Sequence, residues 1–126
     1  MGLCGRGRSD LAAQTQYCGI FLTPTLRNVA TRRVFFHNGV YHTLDQVMAF
    51  YNERDTAPQK IYPETRSGTV MKYNDLPVRF HKNVDIADAP FNRQLGERPA
   101  MSAADVRDVI AFLKTLSDGY DAGDSH

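Results

Sequence analysis

The stretch from Asp55 to Met101 most constrains what this chain can become. Five of the six prolines, Pro58, Pro63, Pro77, Pro90 and Pro99, fall within it. Its apolar residues follow neither helical nor strand spacing. Asn74-Asp75-Leu76-Pro77 reads as a turn, and residues 77–82 as a brief extended or 3₁₀ piece. So long a connection without elements of its own is unusual inside a compact domain. It either wraps over another surface or needs a partner, so regular structure has to come from the flanks.

Two helices are legible there. Thr43 is a good N-cap and Gln46 stands three residues on, the pattern of a capping box. The spacing predicts a helix over about 44–53, with Leu44, Val47, Met48 and Tyr51 on one face. Tyr51 should therefore point where the apolar residues point, carrying a hydroxyl that needs a partner. The second helix spans about 103–116. Ser102 is its N-cap, and Asp105 lies in the first turn, where the helix dipole favours an acid. Val106, Val109, Ile110, Leu113 and Leu116 form its apolar stripe, broadened by Phe112, and Asp118-Gly119 ends it. Upstream, Pro24 suits a first helical turn with Thr23 as N-cap, so Leu26 to Ala30 reads as one or two turns. Val34-Phe35-Phe36 reads as extended and His37-Asn38-Gly39 as a tight turn. Residues 1–22 read as a Gly- and Arg-rich arm with a short turn capped by Ser9, and residues 121–126 as a disordered tail.

At 126 residues the chain is one domain on length, with a formal net charge of +1. That near-neutral balance argues against a nucleic-acid binder, and the Arg6/Arg8 and Arg32/Arg33 pairs do not change it. No apolar run approaches the roughly 20 residues that span a bilayer. The first residues carry no apolar h-region of a secretory signal. Cys4 and Cys18 stand outside any C-x-x-C or C-x-x-C-H spacing. They read as two free thiols, as one disulfide in an oxidising compartment or, least favoured, as metal ligands. No G-x-S-x-G and no glycine-rich phosphate loop occurs, and Asp85 and Asp88 read as a solvated loop. His37 and His42 are badly spaced for two ligands on one helix. By themselves, His37 reads as a structural histidine, Met48 as core and Tyr51 as a core tyrosine with its hydroxyl at a polar edge.

Read together, these pieces resemble a family. Thr23-Pro24-Thr25-Leu26-Arg27-Asn28-Val29, then Phe35-Phe36-His37-Asn38-Gly39, then Thr43-Leu44 through Phe50-Tyr51 resemble the C-terminal haem domain of the bacterial di-haem cytochrome c peroxidase and MauG family. The likeness continues through Arg54-Asp55-Thr56, Asn74-Asp75-Leu76-Pro77 and Pro90-Phe91 into Ala111-Phe112-Leu113-Lys114-Thr115-Leu116 and Asp118-Gly119-Tyr120. The order and spacing of the pieces carry it.

The resemblance implies a mostly α fold, a partial cytochrome c-like haem domain with long loops spanning residues 23–120. It implies haem c as cofactor. The helix after the aromatic-histidine corner supplies the axial ligand of the second haem, methionine in the peroxidases and tyrosine in MauG-type enzymes. That position matches Tyr51, with Met48 as rival. A phenolate is hard and anionic and favours ferric iron, whereas a thioether favours ferrous iron. His37 is implied at the haem edge, and Arg27 is implied either as the partner of a haem propionate or in a structural salt bridge. A calcium ion between the haem domains would take the backbone carbonyls of Arg32 and Val34, where the family usually has Thr and Pro.

The sequence also departs from the family. Both C-x-x-C-H motifs are missing, and so is the N-terminal helix against which residues 103–116 should pack. The chain therefore reads as the last third of an enzyme, inactive by itself and exposing its 103–116 stripe. The implied whole reduces hydrogen peroxide with electrons from a donor protein, in the periplasm, once the missing N-terminal haem portion is present. The alternative is a non-catalytic module that docks on a separate haem-bearing chain.

Overall fold

The computed structural model describes residues 3–4, 9–11 and 13–119. Arg6, Arg8 and the tail expected to be disordered lie outside them. Two α-helices, α1 (Leu44–Glu53) and α2 (Ala103–Thr115), carry the regular structure. Short 3₁₀ segments at Thr15–Tyr17, Val29–Thr31, Pro58–Lys60 and Val78–Asn83 punctuate the rest. Among the described residues there is no sheet, only the isolated pairings of Phe35 with Tyr41 and Glu64 with Val70. None of the described helices is long and apolar enough to cross a membrane. The architecture is thus helices and long loops, as expected.

Both helices begin on reciprocal caps. The Thr43 hydroxyl accepts from the Gln46 amide while the Gln46 side chain accepts from the Thr43 amide. Ser102 and Asp105 do the same for α2, so Asp105 closes a full capping box beyond its expected place in the first turn. Each box satisfies two amides that a helix start leaves orphaned. The main core unites Leu44 and Met48 of α1 with Ile110 and Leu113 of α2, plus Val29 and Phe35 from the preceding loop. Val106, Val109 and Leu116 pack around it.

That packing corrects three expectations. The α2 stripe is not left bare: Ile110 and Leu113 are buried, and Phe112 is the member that stays exposed, at 57%. No helix starts at Pro24. Asn28 takes a left-handed conformation (φ +57°), and the helical turn begins only at Val29. Tertiary bonds override local propensity here. The Asn28 amide donates to Leu116 O (2.9 Å), its Nδ2 donates to Asp118 (2.9 Å), and its Oδ1 accepts from the Asp118 amide (2.7 Å). Likewise Phe36 is not extended. Only Phe35 pairs, donating to Tyr41 O (2.8 Å), while Phe36 sits at φ +61°.

A second, smaller core joins the arm to the 3₁₀ segment Val78–Asn83. Cys4 and Cys18 form a disulfide beside buried Phe80 and half-buried Leu76. Of the readings the sequence left open, the bridge is the one that forms. Asn83 Nδ2 donates to both Thr15 O (2.8 Å) and Cys18 O (2.9 Å), fastening the arm from the other side.

What holds the proline-rich stretch is a buried polar node at the C-terminus of α1. Arg54 and Asp55 are 4% and 7% exposed. Arg54 donates from Nε (2.8 Å) to Asp55 and from Nη2 to the carbonyl of Asp85. Asp55 also accepts from Lys72 Nζ and, at 3.4 Å, from the Tyr73 hydroxyl. The Thr56 carbonyl takes the Gly96 amide (2.9 Å), and Asn52 exchanges two 2.9 Å bonds with the backbone of Met101. Residues 52–56, at the end of α1 and just beyond it, thereby anchor the loop near residues 72, 85, 96 and 101.

Two outcomes follow. Asp55→Ala strands a buried guanidinium and an ammonium, so urea melts should show a loss of about 3–5 kcal/mol, whereas Arg27→Ala in the exposed pair with Asp118 should barely move the midpoint. Reducing the disulfide should cost about 3 kcal/mol by the loop-closure estimate. It should also open the arm to limited proteolysis while the helical circular dichroism persists.

Candidate functional site

Tyr51 stands in the last turn of α1, at the edge of an aromatic cluster. Phe91 stacks on its ring at 5.4 Å and 26°. Phe36 (6.0 Å, 61°) and its own neighbour Phe50 (5.9 Å, 88°) meet it edge-on. Edge-to-face and offset arrangements are what ring quadrupoles prefer. Phe36 also meets Tyr41 (5.3 Å) and Phe50 (5.0 Å). The left-handed turn at Phe36 puts its ring in this cluster. A bulky side chain in that conformation is a strained one, of the kind that surrounding structure must hold in place. The corner is closed by the Phe35–Tyr41 pairing and by Asn38 Oδ1, which accepts from the Val40 amide at 3.3 Å.

The direction expected for Tyr51 is corrected. Leu44 and Met48 are buried, but Tyr51 is 38% exposed and lies outside the main core. Its hydroxyl has no hydrogen-bond partner among the described residues. Two other phenols of the chain are more enclosed. Burial raises the pKa of Tyr41, with Asp75 adding to it, and burial drives that of Tyr62 far above the usual phenol range against an opposing pull from Arg54.

The other expected site residues make contacts of their own. His37 is exposed and stacks on Phe21 at 4.4 Å and 18°. It stands directly after Phe36 in the chain. Arg27, 72% exposed, forms a bidentate pair with Asp118 through Nε (2.9 Å) and Nη2 (3.0 Å). These bonds from Arg27, then Asn28, hold the Asp118 carboxyl below the usual carboxylate range. The structural salt bridge is thus present, and Nη1 is not engaged among the described residues. Arg32 and Val34 are exposed, and Arg32 Nη2 donates to Thr25 O (2.9 Å). His42 Nδ1 lies 3.0 Å from the carbonyl of Arg33 between them. No cluster of three or more His, Cys, Asp or Glu side chains suited to a metal occurs among the described residues. Met48, the rival ligand, is buried in the main core. A cleft of about 830 Å³ runs along another side of α1 between Met48, Asn52, Arg98, Met101 and Val106, and Tyr51 is not in its wall.

Sequence reasoning missed Phe91 and Arg54 as site neighbours. The Arg54 guanidinium lies 3.8 Å from the centroid of the Phe91 ring. The one available signal was the position of Arg54 three residues after Tyr51, which makes the two side chains neighbours on the helix surface.

No family model matches the chain. It is 32% identical over 119 residues to the methylamine utilization protein MauG of Paracoccus denitrificans (strain Pd 1222), covering 93% of this chain and 27% of that protein. The fold matches the crystal structure of the di-haem peroxidase BthA from Burkholderia thailandensis E264 with a TM-score of 0.79 and 43% identity, over 94% of this chain and 28% of that one. A tyrosine-to-methionine variant of BthA matches with a TM-score of 0.80 and 41% identity, over 94% of this chain and 27% of that one. The chain spans just over a quarter of the length of these relatives. With sequence and fold both agreeing over nearly all of its residues, it belongs to the di-haem cytochrome c peroxidase and MauG family.

Proposed function

We propose that this chain is the C-terminal portion of a di-haem peroxidase-type oxidoreductase, residues 23–120 forming part of a cytochrome c-like domain in which Tyr51 caps the second haem. The observation that carries the reading is the Tyr51 phenol, half-exposed on an aromatic face with no hydrogen-bond partner among the described residues. A phenolic oxygen so left is free to ligate. The surroundings suit a flat apolar macrocycle: Phe36, the Phe21–His37 stack and the side chains of Val34 and Val40 are all exposed nearby in the chain.

When bound, the two haems supply peroxide reduction and the relay of electrons from a donor protein. Tyr51 would hold the iron through its phenolic oxygen, a hard donor that suits ferric iron better than the thioether of a methionine would. Met48 does not compete, because the main core encloses it. His37, braced by Phe21, would border the macrocycle. Arg27 holds the end of the chain through Asp118 and can offer Nη1 to a propionate. The carbonyls of Arg32 and Val34 remain the candidates for a calcium ion. Haem attachment through C-x-x-C-H requires the N-terminal haem portion, since this sequence contains no such motif. A periplasmic location fits the Cys4–Cys18 disulfide, because such bridges persist in oxidising compartments. The exposed Phe112 beside a buried stripe suits docking of the remaining haem-bearing portion, which also keeps the reading of a docking module in view.

Ferric haem titrated into the purified chain provides the test. The wild type should develop a phenolate-to-iron charge-transfer band that Tyr51→Phe and Tyr51→Met both abolish, with a higher reduction potential in the methionine variant. Identical spectra for all three would refute ligation by Tyr51. The chain with haem should consume hydrogen peroxide no faster than free haem does.

A further inference from the structure

An axial ligand has to present its donor atom in one direction, and little in α1 itself fixes the direction of Tyr51. The residue lies in the last turn of the helix, its hydroxyl is unpartnered among the described residues, and two of its ring contacts are edge-on. Phe91 alone lies along its face. Phe91 belongs to a loop with no regular structure, so its own position needs a cause.

That cause is a closed circuit of contacts that begins and ends on α1. Arg54, buried and held by Asp55, donates to the carbonyl of Asp85. The Asp85 carboxylate accepts from the amides of Ala87 (2.9 Å) and Asp88 (3.1 Å), which fixes the following turn. The Asp88 carbonyl then accepts from the Phe91 amide (2.8 Å). The Phe91 ring returns to α1, taking the Arg54 guanidinium at 3.8 Å and the Tyr51 ring at 5.4 Å. A guanidinium over a ring face is attractive, the more so when desolvated. Arg54 and Tyr51 are three residues apart, so one loop ring covers two helix neighbours.

We propose that Phe91, clamped by the buried Arg54 guanidinium, is the positioning residue that sets the orientation of the Tyr51 phenol. The inference rests on Tyr51 being the haem ligand. It assigns a purpose to the node beyond anchoring the loop: the same buried charge that orders residues 85–91 aims the ligand.

The test has two arms on the full chain. In the first, without haem, tyrosine ring signals are recorded by NMR and that of Tyr51 is assigned with Tyr51→Phe. Phe91→Leu should change the ring-current shift of the Tyr51 signals, leaving only the part due to Phe36 and Phe50, and leave those of Tyr62 and Tyr73 in place, with helical circular dichroism unchanged. Phe91→Trp should restore a ring-current shift. Tyr51 signals that ignore Phe91→Leu overturn the proposal. In the second arm, ferric haem is the probe. Phe91→Leu should displace the phenolate charge-transfer band and weaken haem binding by roughly two- to tenfold, the worth of one aromatic pair, and Phe91→Trp should bring the band back. A band that Tyr51→Phe leaves intact would remove the ligand reading, whereas a band lost in Tyr51→Phe but untouched in Phe91→Leu removes only the positioning role.

Discussion

The ion pair between Arg54 and Asp55 is the interaction on which the rest of this structure depends. Burying two opposite charges is costly unless every donor and acceptor finds a partner. Here the partners come from across the loop: Lys72 and Tyr73 on the carboxylate, the Asp85 carbonyl and the Phe91 ring on the guanidinium. Satisfying the pair therefore obliges the proline-rich stretch to return repeatedly to the end of α1. Apolar burial does only part of this, through Phe80 and Leu76 in the second core, since Val78, Ile86 and Leu95 of that stretch are exposed. Much of its order is polar in origin.

The apolar cores are correspondingly thin. Six buried residues make the main one, and no large side chain among the described residues is less than 2% exposed. A chain with 42% apolar content has limited means to do more. Stability is distributed instead over local devices. The two capping boxes start the helices, the disulfide and Asn83 hold the arm, and the exchange between Asn28 and Asp118 joins the first loop to the end of α2. Each device closes one segment that the cores leave unheld.

Both helices could be read from the sequence to within a residue, because caps and apolar spacing are local properties. The turn before Val78–Asn83 was legible for the same reason, and the short piece after it, open between extended and 3₁₀ in the sequence, forms as 3₁₀. What could not be read depended on distant partners. Asn28 leaves helical geometry because Asp118 and Leu116, some ninety residues on, bind its amide and side chain. Phe36 leaves extended geometry at a corner closed by Tyr41 and filled by rings from α1. Tyr51 shares a spacing with Leu44 and Met48, but spacing gives a face and not what covers it. The cover over the last turn of α1 is Phe91 from a segment without periodicity, so nothing in the pattern announced it.

A distinction between closed and open groups emerges from these contacts. Met48, Arg54, Asp55 and Asn52 have their partners within the described residues. Tyr51, Phe36, Phe21 and His37 have ring contacts yet stay exposed, Phe36 and His37 at the same corner of the chain. A strained, exposed phenylalanine is a liability in a domain that has to stand by itself. It is an asset where a large flat ligand covers it, because the strain is then compensated by contacts that this chain cannot supply. On that view the polar node and the site are complementary. The first pairs its own charges and so can act as a fixed support, and the second, on the proposed reading, is the part a haem would cover.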